Sequence, residues 1–180
     1  ECMGCNPFGG IVAGALERFD ALLSLQVEVI EYYHAALDHY FVTAAPAEIA
    51  ALDAAVDGPF ERTGYFFYAY PSAAAAPADA RPVCRFYADA SVLIDSHFFS
   101  ADAAECRFVR DRWPGVWQLE QSDAFYVLPP DASGRCGADT LPVFRFFNNR
   151  RDANQRHTVD LSARRSMVNR GWVADGNGAG

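Results

Sequence analysis

The sequence contains no lysine, so all 15 of its Lys and Arg positions are arginine. Alanine is also abundant, and the two biases together are typical of a GC-rich genome rather than of selection for arginine chemistry. The formal net charge of −8 argues against a general nucleic-acid-binding protein. Residues 1–80 carry eleven acids and two arginines, whereas residues 141–180 carry seven arginines and three acids. The basic part is expected to be a solvated surface, or to contact an anionic partner or the acidic part of the chain.

The sequence also lacks any apolar run of about 18 residues, so we expect no transmembrane segment. Gly-x-Ser-x-Gly, Walker and dinucleotide-binding motifs are absent, and no cofactor is expected. His34 and His39 are five residues apart, a spacing that does not place them on one helical face. Because zinc needs three or four convergent ligands, no metal site is predicted.

The five cysteines are compatible with disulfides and export, and their odd number leaves one without a partner in the chain. We expect Cys84 to pair with Cys106, because both lie in the same stretch of sequence. Cys136 could then pair with either Cys2 or Cys5. A disulfide between Cys84 and Cys106 would leave neither cysteine free to act as a nucleophile with His97. We therefore expect binding rather than catalysis.

A weak threefold pattern runs through the rest of the chain. Residues 29–33, 83–87 and 143–147 each consist of a valine, a variable residue, a charged residue and two aromatics. Each string is followed by a hydroxyl residue and then, 17, 17 and 14 residues later, by an aromatic residue. The hydroxyl residues are Thr43, Ser100 and Thr158, and the aromatic residues are Phe60, Trp117 and Trp172. The shared order indicates an internal repeat.

Each repeat reads as strand, strand, short helix, strand, over residues 27–71, 82–130 and 142–176. Pro46 is placed to begin the first helix, Asp102 with Glu105 forms a capping box for the second, and Asp160 suits the N-cap of the third. A single unit is too small to bury its aromatic residues. We therefore predict one strand-rich α+β domain over residues 27–180, in which three units share a core with pseudo-threefold symmetry.

Residues 1–26 are expected to lie outside the repeats. Residues 1–10 are rich in cysteine and glycine and are predicted to be irregular. Residues 11–25 have apolar side chains at helical spacing and are predicted to form an amphipathic helix that packs on the domain or mediates assembly.

The matching strings carry a resemblance to a known family. They are residues 38–43 with 46–49, 83–87 with 96–100 and 104–106, and 142–146 with 171–173. Over about residues 27–176 the chain resembles a bacterial family of secreted domains of unknown function, built on His-Phe-Tyr-Thr repeats. The resemblance implies an extracytoplasmic location and an accessory or binding role, and it supplies no catalytic residues.

The candidate binding residues are aromatic, basic or histidine. Exposed Trp or Tyr faces suit sugar rings and protein partners, and arginine can clamp a carboxylate, either a ligand's or the protein's own. Histidines 39 and 97 are either ligand contacts or buried side chains that hydrogen-bond the backbone. The full set of candidates is Trp113, Trp117, Trp172, Arg85, Arg145, His39 and His97.

The function expected from these features is a secreted, non-catalytic binding module for a cell-surface or extracellular glycan. The alternative is a structural subunit that assembles with copies of itself through the N-terminal helix. A hydrolase that uses carboxylates such as Glu105 and Glu120 is the least favoured hypothesis.

Overall fold

The computed structural model describes residues 2–6, 25–55 and 58–175, which form a strand-rich α+β domain. The predicted helix over residues 11–25 lies almost wholly outside these ranges. Three α-helices occur in the described residues: α1 (Pro46–Ala54), α2 (Ala103–Arg112) and α3 (Leu161–Asn169). The strands are β1 (Cys2–Asn6), β2 (Val27–His34), β3 (His39–Thr43), β4 (Phe60–Ala69), β5 (Arg81–Pro82), β6 (Cys84–Ala88), β7 (Ser96–Ser100), β8 (Gln118–Gln121), β9 (Tyr126–Val127), β10 (Leu141–Phe147), β11 (Gln155–Thr158) and β12 (Val173–Asp175).

Sheets 1 and 2 have the same antiparallel layout, with the first strand in the middle. Sheet 1 has the order β3-β2-β4, and α1 connects β3 to β4. Sheet 2 has the order β7-β6-β8, and α2 connects β7 to β8. The central strands β2 and β6 pair with their neighbours in similar registers: Tyr32 lies opposite Phe41 in sheet 1, and Phe86 lies opposite Phe98 in sheet 2.

Sheet 3 is built on β10, which pairs with β11 along one edge. Along its other edge β10 pairs first with β1 and then with β12. Residues 1–10 were expected to be irregular, and this is wrong for Cys2–Asn6, which form a strand because β10 offers them an open edge. The short strand β12 also closes the sheet with only Val173–Asp175, too few residues to give a clear alternating pattern in the sequence.

The hydroxyl residues of the sequence pattern end the second strand of each sheet. Thr43, Ser100 and Thr158 each accept a hydrogen bond from the backbone N–H two residues later, at 3.0 to 3.1 Å. This local bond turns the chain out of the sheet and towards the following helix. Each hydroxyl therefore has a structural role at a strand-to-helix turn.

The helix starts follow the sequence signals closely. Pro46 occupies the first turn of α1, Asp102 accepts the N–H of Ala104, and Asp160 accepts the N–H of Ala163. Glu105 was expected to complete a capping box with Asp102, but its carboxylate instead binds Arg145 of sheet 3. A charged partner holds that carboxylate more strongly than the backbone amide of a helix end does.

The largest apolar core combines residues from all three sheets. Its members include Val29, Tyr32, Phe67, Val83, Phe99, Phe125 and Val143. Stacked and edge-on aromatic pairs such as Phe99 with Phe125, whose ring centroids are 6.4 Å apart, fill its centre. The three sheets thus share one interior.

Two disulfides cross-link the domain. Cys84 is bonded to Cys106, as expected, which ties α2 to the start of β6. Cys136 is bonded to Cys5, which settles the choice left open by the sequence and attaches β1 to the segment before β10.

Candidate functional site

Buried arginine–carboxylate pairs join each sheet to the next. The Nη atoms of Arg85 on β6 donate to both carboxylate oxygens of Glu48 on α1, at 2.7 and 2.8 Å. Arg145 on β10 binds Glu105 on α2 in the same two-pronged way, at 2.7 and 2.9 Å. These two candidate ligand-binding arginines are therefore occupied by the protein's own acids.

In the pair between sheets 3 and 1, the central strand supplies the acid and the other sheet supplies the arginine. Glu31 on β2 stands in the position of Arg85 and Arg145 in their strings, and it accepts two bonds of 2.9 Å from Arg156 on β11. Glu31 and Arg156 are only 1 and 5% exposed. The Arg156 guanidinium also lies 4.2 Å from the centre of the Tyr40 ring, which completes its desolvated surroundings.

Arg85 and Arg145 each reach a second acid. The Nε atom of Arg85 lies 2.8 Å from Glu120, and Arg145 lies 3.1 Å from Asp175. The hydrogen bonds from Arg85 hold the pKa of Glu48 below its usual value. Glu105 and Glu120, the carboxylates considered for a hydrolase, are thus both ion-paired with arginine.

His39 is almost fully buried at the start of β3. Its Nδ1 donates to the backbone oxygen of Asp95 at 2.9 Å, and its Nε2 lies 3.2 Å from a carboxylate oxygen of Asp152. The ring therefore connects sheet 1 to the loops before β7 and β11. This is the backbone-bonded alternative that the sequence left open.

His97 is half-buried between sheets 1 and 2. Its ring centroid is 4.5 Å from that of Phe41 and 4.8 Å from that of Tyr87, and its Nε2 is 3.5 Å from Glu120. The hydrogen bond to His97 and the charge of Arg85 lower the pKa of Glu120. The histidine fills the space between these two sheets.

Trp172 closes the contact between sheets 3 and 1. It is 6% exposed and packs edge-on against Tyr40, with ring centroids 5.6 Å apart. Arg170 donates to the Tyr40 hydroxyl at 3.0 Å and also binds Asp38. We call the contact formed by Tyr40, Trp172 and Arg170 the closed interface.

Between sheets 2 and 3 the corresponding space is open. A cleft of about 390 Å³ lies there, and we call it the aromatic cleft. Its aromatic walls are Phe98, Trp113, Trp117 and Phe147, and its polar lining is Gln155 and Asp175. Trp113 is 40% exposed, and Trp117 is half-buried with its ring 6.1 Å from Phe98. Two of the candidate tryptophans are therefore brought together in one cavity.

One residue explains why the cleft is open. Tyr40, His97 and Gln155 each stand three residues before the hydroxyl that ends their strand. Tyr40 packs on Trp172 and His97 packs on Phe41, whereas Gln155 turns its amide oxygen inward to accept the N–H of Phe99 at 2.9 Å. Because Gln155 places no ring between the sheets, the space beside Trp117 remains open.

Two features of the cleft region were not predicted from the sequence. Phe108 is 57% exposed and lies edge-on to Trp113, with ring centroids 5.5 Å apart. Gln155 lies in the third repeat, three residues before Thr158. Its departure from the aromatic or histidine side chain of the other two strings was the signal that could have found the cleft.

The described residues contain no group of three or more His, Cys, Asp or Glu side chains that could hold a metal ion. Within the same part of the chain, no helix is both long and apolar enough to cross a membrane.

The fold is a strand-rich α+β domain with an aromatic cleft between sheets 2 and 3. The family model described as "Domain of unknown function (DUF5648)" matches residues 15–128, more than half of the chain. The protein belongs to this family. Searches of curated proteins and of solved structures give no match to the chain.

Proposed function

We propose that this protein is an exported, non-catalytic module that binds a cell-surface or extracellular glycan in the aromatic cleft. The observation that carries the proposal is the 40% exposed Trp113 ring at the edge of a 390 Å³ cavity that Trp117 also lines. Aromatic rings offer flat apolar faces to the C–H face of a sugar. Gln155 and Asp175 supply the few polar groups that fix a ligand's orientation.

The two disulfides support the exported location. Disulfides persist in oxidising compartments such as the periplasm and the extracellular space. Cys5–Cys136 and Cys84–Cys106 link residues 131 and 22 positions apart, so both the domain ends and the α2 helix depend on oxidation. An extracytoplasmic location is also what the resemblance stated for the sequence implies.

The proposed architecture is three copies of one unit around a pseudo-threefold axis. Its support is the common order of strand, strand, helix, strand, with the first strand central in each sheet. The left-handed residue before each second strand also recurs, at Asp38, Asp95 and Ala153, with φ of 55, 49 and 46°. Three equivalent spaces between units then exist, of which the aromatic cleft is the unfilled one.

The test is co-sedimentation of the purified domain with insoluble peptidoglycan and with insoluble polysaccharides. Wild type is expected to enter the pellet, and Trp113→Ala is expected to lose at least about tenfold in affinity, as for an exposed aromatic anchor. Phe66→Ala is the matched control, since Phe66 is 44% exposed but lies outside the cleft. Equal binding by wild type and Trp113→Ala would remove the cleft from the proposal, and no binding to any polymer would end it.

Assembly with copies of itself is the second candidate. The observation that favours it is the exposed pair Tyr65 and Phe66, 36 and 44% exposed on β4 at the edge of sheet 1. Light scattering of the full chain in oxidising buffer distinguishes the two. A concentration-dependent mass that Phe66→Ala reduces would favour assembly, and a single monomer mass would exclude it.

A further inference from the structure

A second groove lies beside α2, next to the aromatic cleft. It has a volume of about 550 Å³ and an apolar floor that includes Pro82, Phe86 and Leu119. Residues of α2 line both cavities, Arg107 and Arg110 in the groove and Val109 in the cleft. The helix therefore separates the two cavities, and a ligand chain that crosses it reaches both.

The groove is basic in a protein whose net charge is −8. Arg81, Arg107 and Arg110 line it and are all exposed. Within the described residues, the side chains of Arg81 and Arg107 have no hydrogen-bond or ion-pair partner, and Arg110 binds only its chain neighbour Asp111 at 2.8 Å. Arg85, Arg145 and Arg156, by contrast, are buried and paired with carboxylates.

The acid in the groove does not neutralise these arginines. Asp102 lines the groove, but its carboxylate accepts the backbone N–H of Ala104 at 2.7 Å as the cap of α2. Asp111 is two-thirds exposed on the same helix and is the ion-pair partner of Arg110. The groove thus keeps two unpaired guanidinium groups above an apolar floor.

Positive charge continues from the groove to the aromatic cleft. Arg112 follows Arg107 and Arg110 on α2, and its guanidinium lies 5.9 Å from the centre of the Trp113 ring. Arg112 thus places a positive charge beside Trp113, although it lies on a different face of α2 from Arg107 and Arg110. Arg81, Arg107 and Arg110 together place several positive charges along one groove, which suits a chain with repeated negative charges better than a single small anion.

We infer that the glycan bound by this protein is acidic, and that carboxylates of its uronate residues bind Arg81, Arg107 and Arg110 in the groove while a neighbouring sugar packs on Trp113. The inference rests on the proposed glycan-binding function and specifies its ligand class. Arginine presents a planar fork of donors that matches a carboxylate. The apolar floor beneath it receives the C–H face of the same ring.

The test compares two polymers that differ only in charge: soluble polygalacturonate, and the same polymer with its carboxylates methyl-esterified. Binding to each is measured by isothermal titration calorimetry at low and at high salt. The full chain is expected to prefer the free acid, with affinity that falls as salt rises. Arg107→Gln/Arg110→Gln is expected to weaken binding to the acid by about tenfold or more and to leave binding to the ester unchanged.

The matched control is Arg151→Gln/Arg165→Gln, which removes the same charge from exposed positions outside the groove. If this control weakens binding as much as Arg107→Gln/Arg110→Gln does, the effect comes from net charge. The groove is then not the binding site, and the inference is wrong. Polyglutamate is a second comparison. If it binds as tightly as polygalacturonate and its binding also depends on Arg107 and Arg110, the ligand is an acidic peptide and the acidic glycan is wrong.

Two further outcomes separate this inference from the proposed function. If the esterified polymer binds as tightly as the acid and Trp113→Ala weakens both, the glycan-binding function stands and the acidic ligand is wrong. If neither polymer binds and the co-sedimentation test is also negative, the proposed function fails and the inference fails with it.

Discussion

Trp172 and Trp113 both lie just beyond a helix and next to a boundary between sheets, but their surroundings are opposite. Trp172 is 6% exposed and packed under Tyr40 and Arg170 in the closed interface. Trp113 is 40% exposed, and the cleft it borders has a glutamine where the closed interface has Tyr40. The comparison shows how similar frameworks can use an aromatic side chain for stability at one boundary and leave one available at another.

The largest effect is expected from removing the two tryptophans separately. Trp172→Ala should lower the free energy of unfolding by about 4 kcal/mol, because a large buried ring leaves a cavity in the closed interface. Trp113→Ala should lower it by less, about 1 kcal/mol, because 40% of its surface is already exposed in the folded protein and less packing is lost. Urea denaturation of both variants measures the difference, and similar losses would contradict the comparison.

The ion pair between Glu31 and Arg156, which joins sheets 3 and 1 beside the closed interface, is the next site to test. Arg156→Gln should cost about 3 kcal/mol, because it leaves the Glu31 carboxylate buried without its counter-charge. Glu31→Gln/Arg156→Gln, which removes both charges, should cost less than the sum of the two single changes. A double-mutant cycle from denaturation curves checks this, and strictly additive losses would show that the two side chains do not depend on each other.

A smaller, pH-dependent effect is expected at the boundary that carries the cleft. His157 on β11 packs edge-on to Phe99, and burial together with the charge of Arg145 lowers its pKa to about 3. The unfolded chain takes up this proton below about pH 6.5 and the folded chain does not, so stability falls as the pH drops from 6.5 towards 3.

His157→Phe should remove that component, which amounts to about 2 kcal/mol between pH 6.5 and 4.5. Carboxylates and the other histidines are unchanged in the variant, so the comparison isolates one group. The readout is the difference in unfolding free energy between variant and wild type at the two pH values. A difference that does not change with pH would show that His157 binds its proton equally well in the folded and unfolded states, so that burial does not lower its pKa.

The smallest effect on stability is expected from making the open cleft resemble the closed interface. Gln155→Tyr introduces an aromatic ring at the position equivalent to Tyr40 and removes the hydrogen bond from the Phe99 N–H. The free energy of unfolding should fall by about 1 kcal/mol. Binding of the glycan should be lost although the fold is retained. Unchanged binding, measured by the same co-sedimentation, would show that the ligand does not enter the space beside Trp117.

The sequence was most informative where structure depends on neighbours in the chain. The starts of all three helices and the α+β class could be predicted, because caps and hydroxyl turns act over two or three residues. The Cys84–Cys106 pair was also within reach, because it closes a short segment.

The site depended instead on contacts between distant parts of the chain. Glu31 and Arg156 are 125 residues apart, and nothing in either string indicates that they meet. Arg85 and Arg145 could equally have faced a ligand, and only the positions of Glu48 and Glu105 on the preceding sheet's helix decide the matter. The aromatic cleft depends on the absence of a ring at Gln155, which is visible in the sequence only as a departure from the shared pattern.

The pairing of β1 with β10 has a consequence for biogenesis. The first strand of the described chain is completed by one that begins at Leu141, and Cys5 must wait for Cys136 to form its bond. If the protein is exported N-terminus first, in keeping with the proposed function, β1 and the Cys5 thiol therefore stay without their partners until most of the chain has crossed the membrane. Cys84 and Cys106, only 22 positions apart, can meet much sooner. Oxidation of such a chain can thus begin at Cys84–Cys106 and is complete only when Cys136 reaches Cys5.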